Sequence, residues 1–382
     1  MTTQPQPSLL KAFRVPILIT LAVLVGSFMW RGADFVTTVA ILGVLEFVFS
    51  FDNAIVNSKI LTRMTPFWRT MFLTAGILVA VGFMRLLFPV IVVVSTAHLG
   101  FGQVWNLAVS HPAVYAADLH AAHPAIAALG GMFLAMIFLD WIFDQRLNDD
   151  GEPDSEWLEW FGPLERALRK LGKEDIVASI VALLALWVVA EYFSGGHTVQ
   201  VLEAGLIGWI AYQAVNLLGK FTERLGDKES ASESGSGHKA LKLVGGAAGF
   251  ALFVKLEFID ASFSFDGVSG AFAITSDIFA IMLGLGIGAV FIRTLTIYLT
   301  AKGTLGEYVY LEHGAHWAIG ALAVVLFGTM EHDLPEYVTG GIGLGLILAA
   351  YISSLVYRRR HPQELAAEAQ EIDAPLKSAT IS

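Results

Sequence analysis

Apolar runs too long for a soluble core alternate along this chain with short charged islands, and almost every Lys, Arg, Asp and Glu falls in an island. The alternation predicts ten membrane-crossing helices, at 15–30, 35–56, 71–95, 122–143, 176–193, 198–218, 244–268, 278–300, 316–330 and 337–357. The expected fold class is therefore all-α, a polytopic transmembrane helical protein, because a helix satisfies its own backbone polar groups in lipid. Composition agrees, with 55% hydrophobic and 15% charged residues and a mean hydropathy of +0.64. Lys11 and Arg14 precede the first run as in a signal peptide, but the run ends in Phe28-Met29-Trp30-Arg31 with no small-residue cleavage site. An uncleaved anchor is expected.

Basic residues orient the spans, since Lys and Arg accumulate in cytoplasmic loops. With the N-terminus inside, one side holds Lys11 and Arg14; Lys59, Arg63 and Arg69; Arg146, Arg166, Arg169, Lys170 and Lys173; Lys220, Arg224, Lys228, Lys239 and Lys242; Lys302; and Arg358, Arg359, Arg360 and Lys377. Only Arg31 falls on the other side. Arg85, Lys255 and Arg293 lie within spans. Both termini are thus expected in the cytoplasm.

Two apolar stretches carry one acidic signature. Glu46 is followed by Ser50-Phe51-Asp52-Asn53, and Asp260 by Ser264-Phe265-Asp266-Gly267. The spans that follow also correspond, Gly76, Phe83, Arg85 and Leu87 matching Gly284, Phe291, Arg293 and Leu295. Span parity gives the copies opposite directions, so two inverted three-helix repeats are expected, a design that places substrate between the copies near the midplane. The expected organisation is an anchor at 1–34, a first repeat at 35–143, and a central part at 144–242 with two extra spans and a linker. A second repeat at 243–330 follows, then the last span and a cytoplasmic tail at 331–382.

Intramembrane carboxylates are costly and mark function by default. Glu46, Asp52, Glu257, Asp260 and Asp266 would repel one another unless a cation neutralises them. Lys255, Arg85 and Arg293 are the candidates within the chain, as counter-ions, gates or competitors of a metal; a bound metal or proton is the other. The oxygen donors Asn53, Asn57, Ser50, Ser264 and Ser269 suit hard divalent cations, and the lack of cysteine excludes thiolate ligands. Glu46 and Asp52, six residues apart, point to different helix faces, so they converge only if the helix breaks near 50–53. Gly267 and Gly270 would ease the same break in the second copy, while Ser50 and Asn53 would satisfy freed backbone groups in the first.

These residues resemble a family. Glu46-x-x-x-Ser50-x-Asp52-Asn53, paired with Glu257-x-x-Asp260-x-x-Phe263-x-x-Asp266 and Ala271-Phe272-Ala273-Ile274-Thr275, is similar to the two signatures of the TerC integral membrane proteins, named for tellurium resistance. The resemblance implies a cation exporter associated with Mn²⁺ efflux, in a bacterial inner (plasma) membrane, with Glu46, Asp52, Asn53, Glu257, Asp260 and Asp266 as the metal site. Where that family commonly reads Asp-Ser-Ile-Pro-Ala, this chain has Asp266-Gly267-Val268-Ser269-Gly270, which moves a serine and loses a proline break.

Outside the repeats, 144–175 presents Trp157, Leu158, Trp160, Phe161, Leu164, Leu168 and Leu171 at roughly helical spacing interrupted by Pro163. It reads either as a surface-lying amphipathic segment or as a helix packed on the cytoplasmic mouth. The stretch 226–240 is a Gly/Ser/Glu/Lys linker that cannot bury apolar area, and the tail after Arg360, with Pro362, Glu364, Glu368, Glu371 and Asp373, is expected to be disordered too. His98, His111, His120, His123, Asp118, His197, His332 and Asp333 read as solvated outer-loop residues. Gly284/Gly288 and Gly341/Gly345 read as close helix contacts.

No ATPase, metalloprotease or serine-hydrolase motif occurs, so no enzyme is expected, and a net charge of −10 gives no support for nucleic-acid binding. The expectation is a secondary transporter of a divalent cation, with the lipid bilayer as its surroundings and no protein partner assigned. A non-transporting membrane scaffold or metal-binding protein in metal or tellurite stress resistance is the alternative.

Overall fold

The computed structural model describes residues 9–97, 99–144, 159–171, 176–230, 244–302, 308–330 and 336–361, with the side chains of Asp52, Ser264, Asp266 and Ser269 among those left undescribed. The linker at 231–243 and the tail at 362–382 lie outside the described residues, as do 145–158 of the central segment, His98, His332 and Asp333.

Helices make up the described molecule. After a short α1 (Leu9–Ala12) come α2 (Arg14–Arg31), α3 (Ala33–Phe49), α4 (Phe51–Thr62), α5 (Pro66–Leu73) and α6 (Ala75–Leu78). A π-helical segment (Val79–Leu87) leads into α7 (Phe88–Ala97), α8 (Phe101–Ser110), α9 (Pro112–Ala121) and α10 (His123–Phe143). The remainder comprises α11 (Pro163–Leu171), α12 (Val177–Tyr192), α13 (Thr198–Ser230), α14 (Gly246–Ile274), α15 (Ile278–Lys302), α16 (Leu311–Gly328) and α17 (Glu336–Arg360).

Among the described residues seven helices are long and apolar enough to cross a membrane, or up to eight if the bent pair α3–α4 is one span. Every expected span falls on a helix or helical run. Two of them fail the strict test for different reasons. The helix α12 has only 16 residues, and α14, at 29 residues, carries Lys255, Glu257, Asp260 and Asp266 in its interior. The expected outer loop after the third span is instead the helical hairpin α8–α9, whose Val104, Ala108, Tyr115 and Leu119 are buried.

Packing is interleaved. The helix α15 lies along α3 and α4, α14 packs on the π segment, and α10 contacts both α13 and α16. Small residues permit the closest approach: a β-carbon at Gly284 would crowd the Val39 carbonyl oxygen at 2.9 Å, and one at Gly288 the Gly43 carbonyl oxygen at 3.0 Å. The Gly284/Gly288 expectation therefore holds. Gly341 and Gly345 differ, since a β-carbon at either meets nothing within 4 Å.

Candidate functional site

In the first copy the chain does break at the expected place. Helix α3 stops at Phe49, Ser50 has a non-helical backbone, and the two halves diverge by 57°. The buried Glu46 carboxylate sits one turn before the break and accepts a hydrogen bond from Ser50 Oγ at 3.1 Å. Arg85 Nη2 donates to the same Glu46 oxygen, Oε1, and Arg85 Nη1 donates to the Ala80 carbonyl at 2.7 Å. Arg85 and Ala80 both belong to the π segment, whose wide turns occur often at functional sites. Ser50 thus serves the carboxylate, rather than the freed backbone groups expected of it.

In the second copy Glu257 and Asp260, three residues apart, share one face of α14. Arg293 of α15, 1% exposed, grips Glu257 with two parallel bonds of 2.9 Å each and reaches Asp260 Oδ2 at 2.7 Å. Its Nη1 also donates to the Phe72 carbonyl at 2.9 Å, and the guanidinium lies 4.2 Å over the Phe72 ring. This fork-to-fork pairing uses the planar donor set only arginine has. Gly76 completes the pocket, because a β-carbon there would collide with Arg293 Nη1 and Glu257 Oε1. Arg293 does not snorkel outward; it is a fully enclosed counter-ion.

The copies meet. Asn53 Nδ2 of the first donates to Asp260 Oδ1 of the second at 2.8 Å, and Asn57 Nδ2 donates to Asn53 Oδ1 at 2.8 Å. Glu46 Oε2 lies against Gly267, where a β-carbon would approach it to 2.8 Å. Gly267 therefore provides room for a carboxylate from the other copy instead of a helix break, and α14 runs unbroken through it. Of the twelve expected site residues, Glu46, Ser50, Asn53, Asn57, Arg85, Glu257, Asp260 and Arg293 join this network. The side chains of Asp52, Ser264 and Asp266 lie outside the described ones, although their backbones fall in α4 and α14.

Lys255 belongs elsewhere. Instead of pairing with Glu257 or Asp260, its ammonium sits 6.0 Å over the Tyr212 ring, within reach of the charge of Asp140, whose carboxylate accepts the Tyr212 hydroxyl. Arg293 occupies both Glu257 oxygens, and α14 carries Lys255 two residues earlier on a different face. Among the described residues no group of three or more His, Asp and Glu side chains is arranged to hold a metal. The carboxylates of Glu46, Glu257 and Asp260 are held by arginines instead.

A second buried acid was not singled out by its position in the chain. Glu165 of α11 is fully buried and accepts from Trp317 Nε1 at 2.8 Å and from the Trp160 and Phe161 amides at 3.2 and 3.4 Å. The His313 ring lies 3.2 Å away. Burial alone would raise its pKa, but these hydrogen bonds and the His313 charge hold it below the usual carboxylate range. Pro163 starts this helix rather than interrupting it, and Pro at the first position with Glu at the third was the readable signal. The described part packs against α10 and is bonded to α16 through Glu165, so of the two readings it follows the packed helix rather than the surface-lying one.

Fold and site together define an all-α multi-pass membrane protein with two buried clusters of acids and arginines, the second of which accepts a hydrogen bond from Asn53 of the first copy. The chain belongs to the family described as a protein of unknown function (DUF475), whose model matches residues 51–361. No curated protein and no solved structure matches it.

Proposed function

We propose that the protein is a secondary transporter that exports a divalent metal cation, Mn²⁺ being the cargo favoured by the resemblance to TerC proteins, by alternating access between two inverted repeats. The observation that carries the reading is the Asn53–Asp260 hydrogen bond, which brings a polar side chain of one copy of the signature against a buried acid of the other. Interleaved packing of α3 with α15 and of α14 with the π segment supports the inverted relation, because each copy's first helix meets the other copy's second.

In this reading Arg85 and Arg293 act as resident cations that neutralise the acids when no metal is bound. Glu46, Asp260, Asn53 and Glu257, with Asp52 and Asp266, offer oxygen donors of the kind Mn²⁺ takes. Metal entry releases an arginine or displaces protons, and a proton returning to a carboxylate releases the metal, which is an antiport cycle. The membrane would be a bacterial inner membrane with both termini cytoplasmic, as the distribution of basic residues suggests.

The test is Mn²⁺ uptake into everted vesicles. Asp52→Asn and Asp266→Asn should each abolish uptake, and unchanged uptake in both would refute the site. Metal binding without flux by the wild-type protein in proteoliposomes would favour the scaffold alternative.

A further inference from the structure

Beside the Arg293 cluster lies a cavity of about 290 Å³ whose lining, apart from Glu257, takes no part in the transport reading. Its walls come from both copies: Val79, Phe83 and Met84 of the π segment and Gly130 of α10 on one side, Phe253 and Phe258 of α14 on the other. The two polar residues in its lining are satisfied from behind. Glu257 gives both oxygens to Arg293, and Ser262 Oγ donates to the Phe258 carbonyl at 2.9 Å.

Water would find too few partners in such a space, since a buried water makes two to four hydrogen bonds. The cavity nonetheless has many times the volume of one water, about 30 Å³ in the liquid. A void of that size also forfeits dispersion contacts along its whole lining. Phe83 of its lining is 42% exposed, on the apolar run Pro66–Ser95 that is long enough to cross a membrane, so one wall of the cavity reaches the surface of an apolar helix.

We propose that this cavity is a binding slot for one acyl chain of a membrane phospholipid, inserted sideways between the π segment and α14. The chain supplies the missing contacts and keeps water from the Glu257–Arg293 pair, whose attraction strengthens as the local dielectric falls. The slot exists whether or not the protein moves a cation.

The experiment uses the full chain in lipid nanodiscs containing a phospholipid with a mid-chain diazirine, photolysed and mapped by peptide mass spectrometry. Adducts should concentrate on 79–88 and 253–262 over α2, although α2 is the more exposed helix. In Ala261→Phe and Gly130→Leu, which fill the slot, they should fall about tenfold, with labelling of α2 unchanged. A β-carbon at Gly130 fits, its nearest neighbours lying at 3.7 and 3.8 Å. Adducts spread evenly over the lipid-facing helices of the wild type would overturn the proposal without any variant. Labelling of the slot by a diazirine fatty acid but not by the phospholipid would overturn the assigned source.

Discussion

The two acidic copies place their arginines alike but load them differently. In the first copy Arg85 answers one carboxylate, Glu46, and spends its other arm on the Ala80 carbonyl of its own π-helical turn. In the second, Arg293 holds two carboxylates, Glu257 and Asp260, from an ordinary α-helix. The first cluster sets one described carboxyl group against its arginine, and the second sets two. Asn53 donates to one of that second pair, Asp260, so the contact between the copies falls on the cluster with the extra acid.

The sharpest way to break the comparison is to remove each arginine. Arg293→Gln strands two buried carboxylates and should cost about 3–5 kcal/mol, enough to lose most folded protein. Arg85→Gln strands one carboxylate, to which Ser50 still donates, and should cost distinctly less. Thermal unfolding in detergent, read by size-exclusion chromatography of heated samples, ranks them. Equal losses would mean that the extra acid adds no dependence on its arginine. Arg293→Lys should recover little, because an ammonium cannot make the parallel bonds.

The link between the copies comes next. Asn53→Leu leaves Asp260 without its neutral donor and Asn57 without its acceptor, a loss of about 1–3 kcal/mol. Asn53→Asp should be worse, since it sets a second carboxylate against Asp260. Thermal unfolding that left Asn53→Asp more stable than Asn53→Leu would deny that two acids set against each other are the cause of the loss.

Much of this network was legible in the chain. Long apolar runs set the helices, and acids inside them are too costly to be incidental, so Glu46, Glu257, Asp260 and their arginines stood out. The break at Ser50 followed from six-residue spacing. What was not legible depends on neighbours distant in sequence. The direction of Lys255 depends on α13, which supplies Tyr212, and the role of Gly267 on Glu46 across the bundle. The π segment left no local mark either, for its counterpart around Arg293 has a similar sequence and is α-helical.

Glu165 extends the asymmetry beyond the acids, for it fastens the central segment to α16 of the second copy. Because its folded-state pKa is lowered, the stability it contributes is present above the ordinary carboxylate pKa near 4.5 and is lost as pH falls below it. Glu165→Gln should lower stability at neutral pH by about 1–3 kcal/mol and flatten the acid limb of the stability curve. Melting temperatures from about pH 7 down to about pH 2, through the window between the ordinary and the lowered pKa, would test this. An acid limb as steep as in the wild type would assign the acid loss to other groups.

The smallest expected effect concerns the π segment. Gly82 lies within it at a negative φ, with open space where a β-carbon would stand. If the wide turn is held by packing and by Arg85 bonding Ala80, Gly82→Ala should be tolerated and should stabilise by about 0.4–1 kcal/mol through loss of unfolded-state freedom. If the turn instead needs a glycine's backbone freedom, the substitution will destabilise and draw the segment toward the α-helix of its counterpart. That outcome would weaken Arg85–Glu46 in particular, and the melting cost of Arg85→Gln measured on the Gly82→Ala background would shrink. Additivity of the two substitutions, expected for sites without shared partners, therefore supports a turn held from outside.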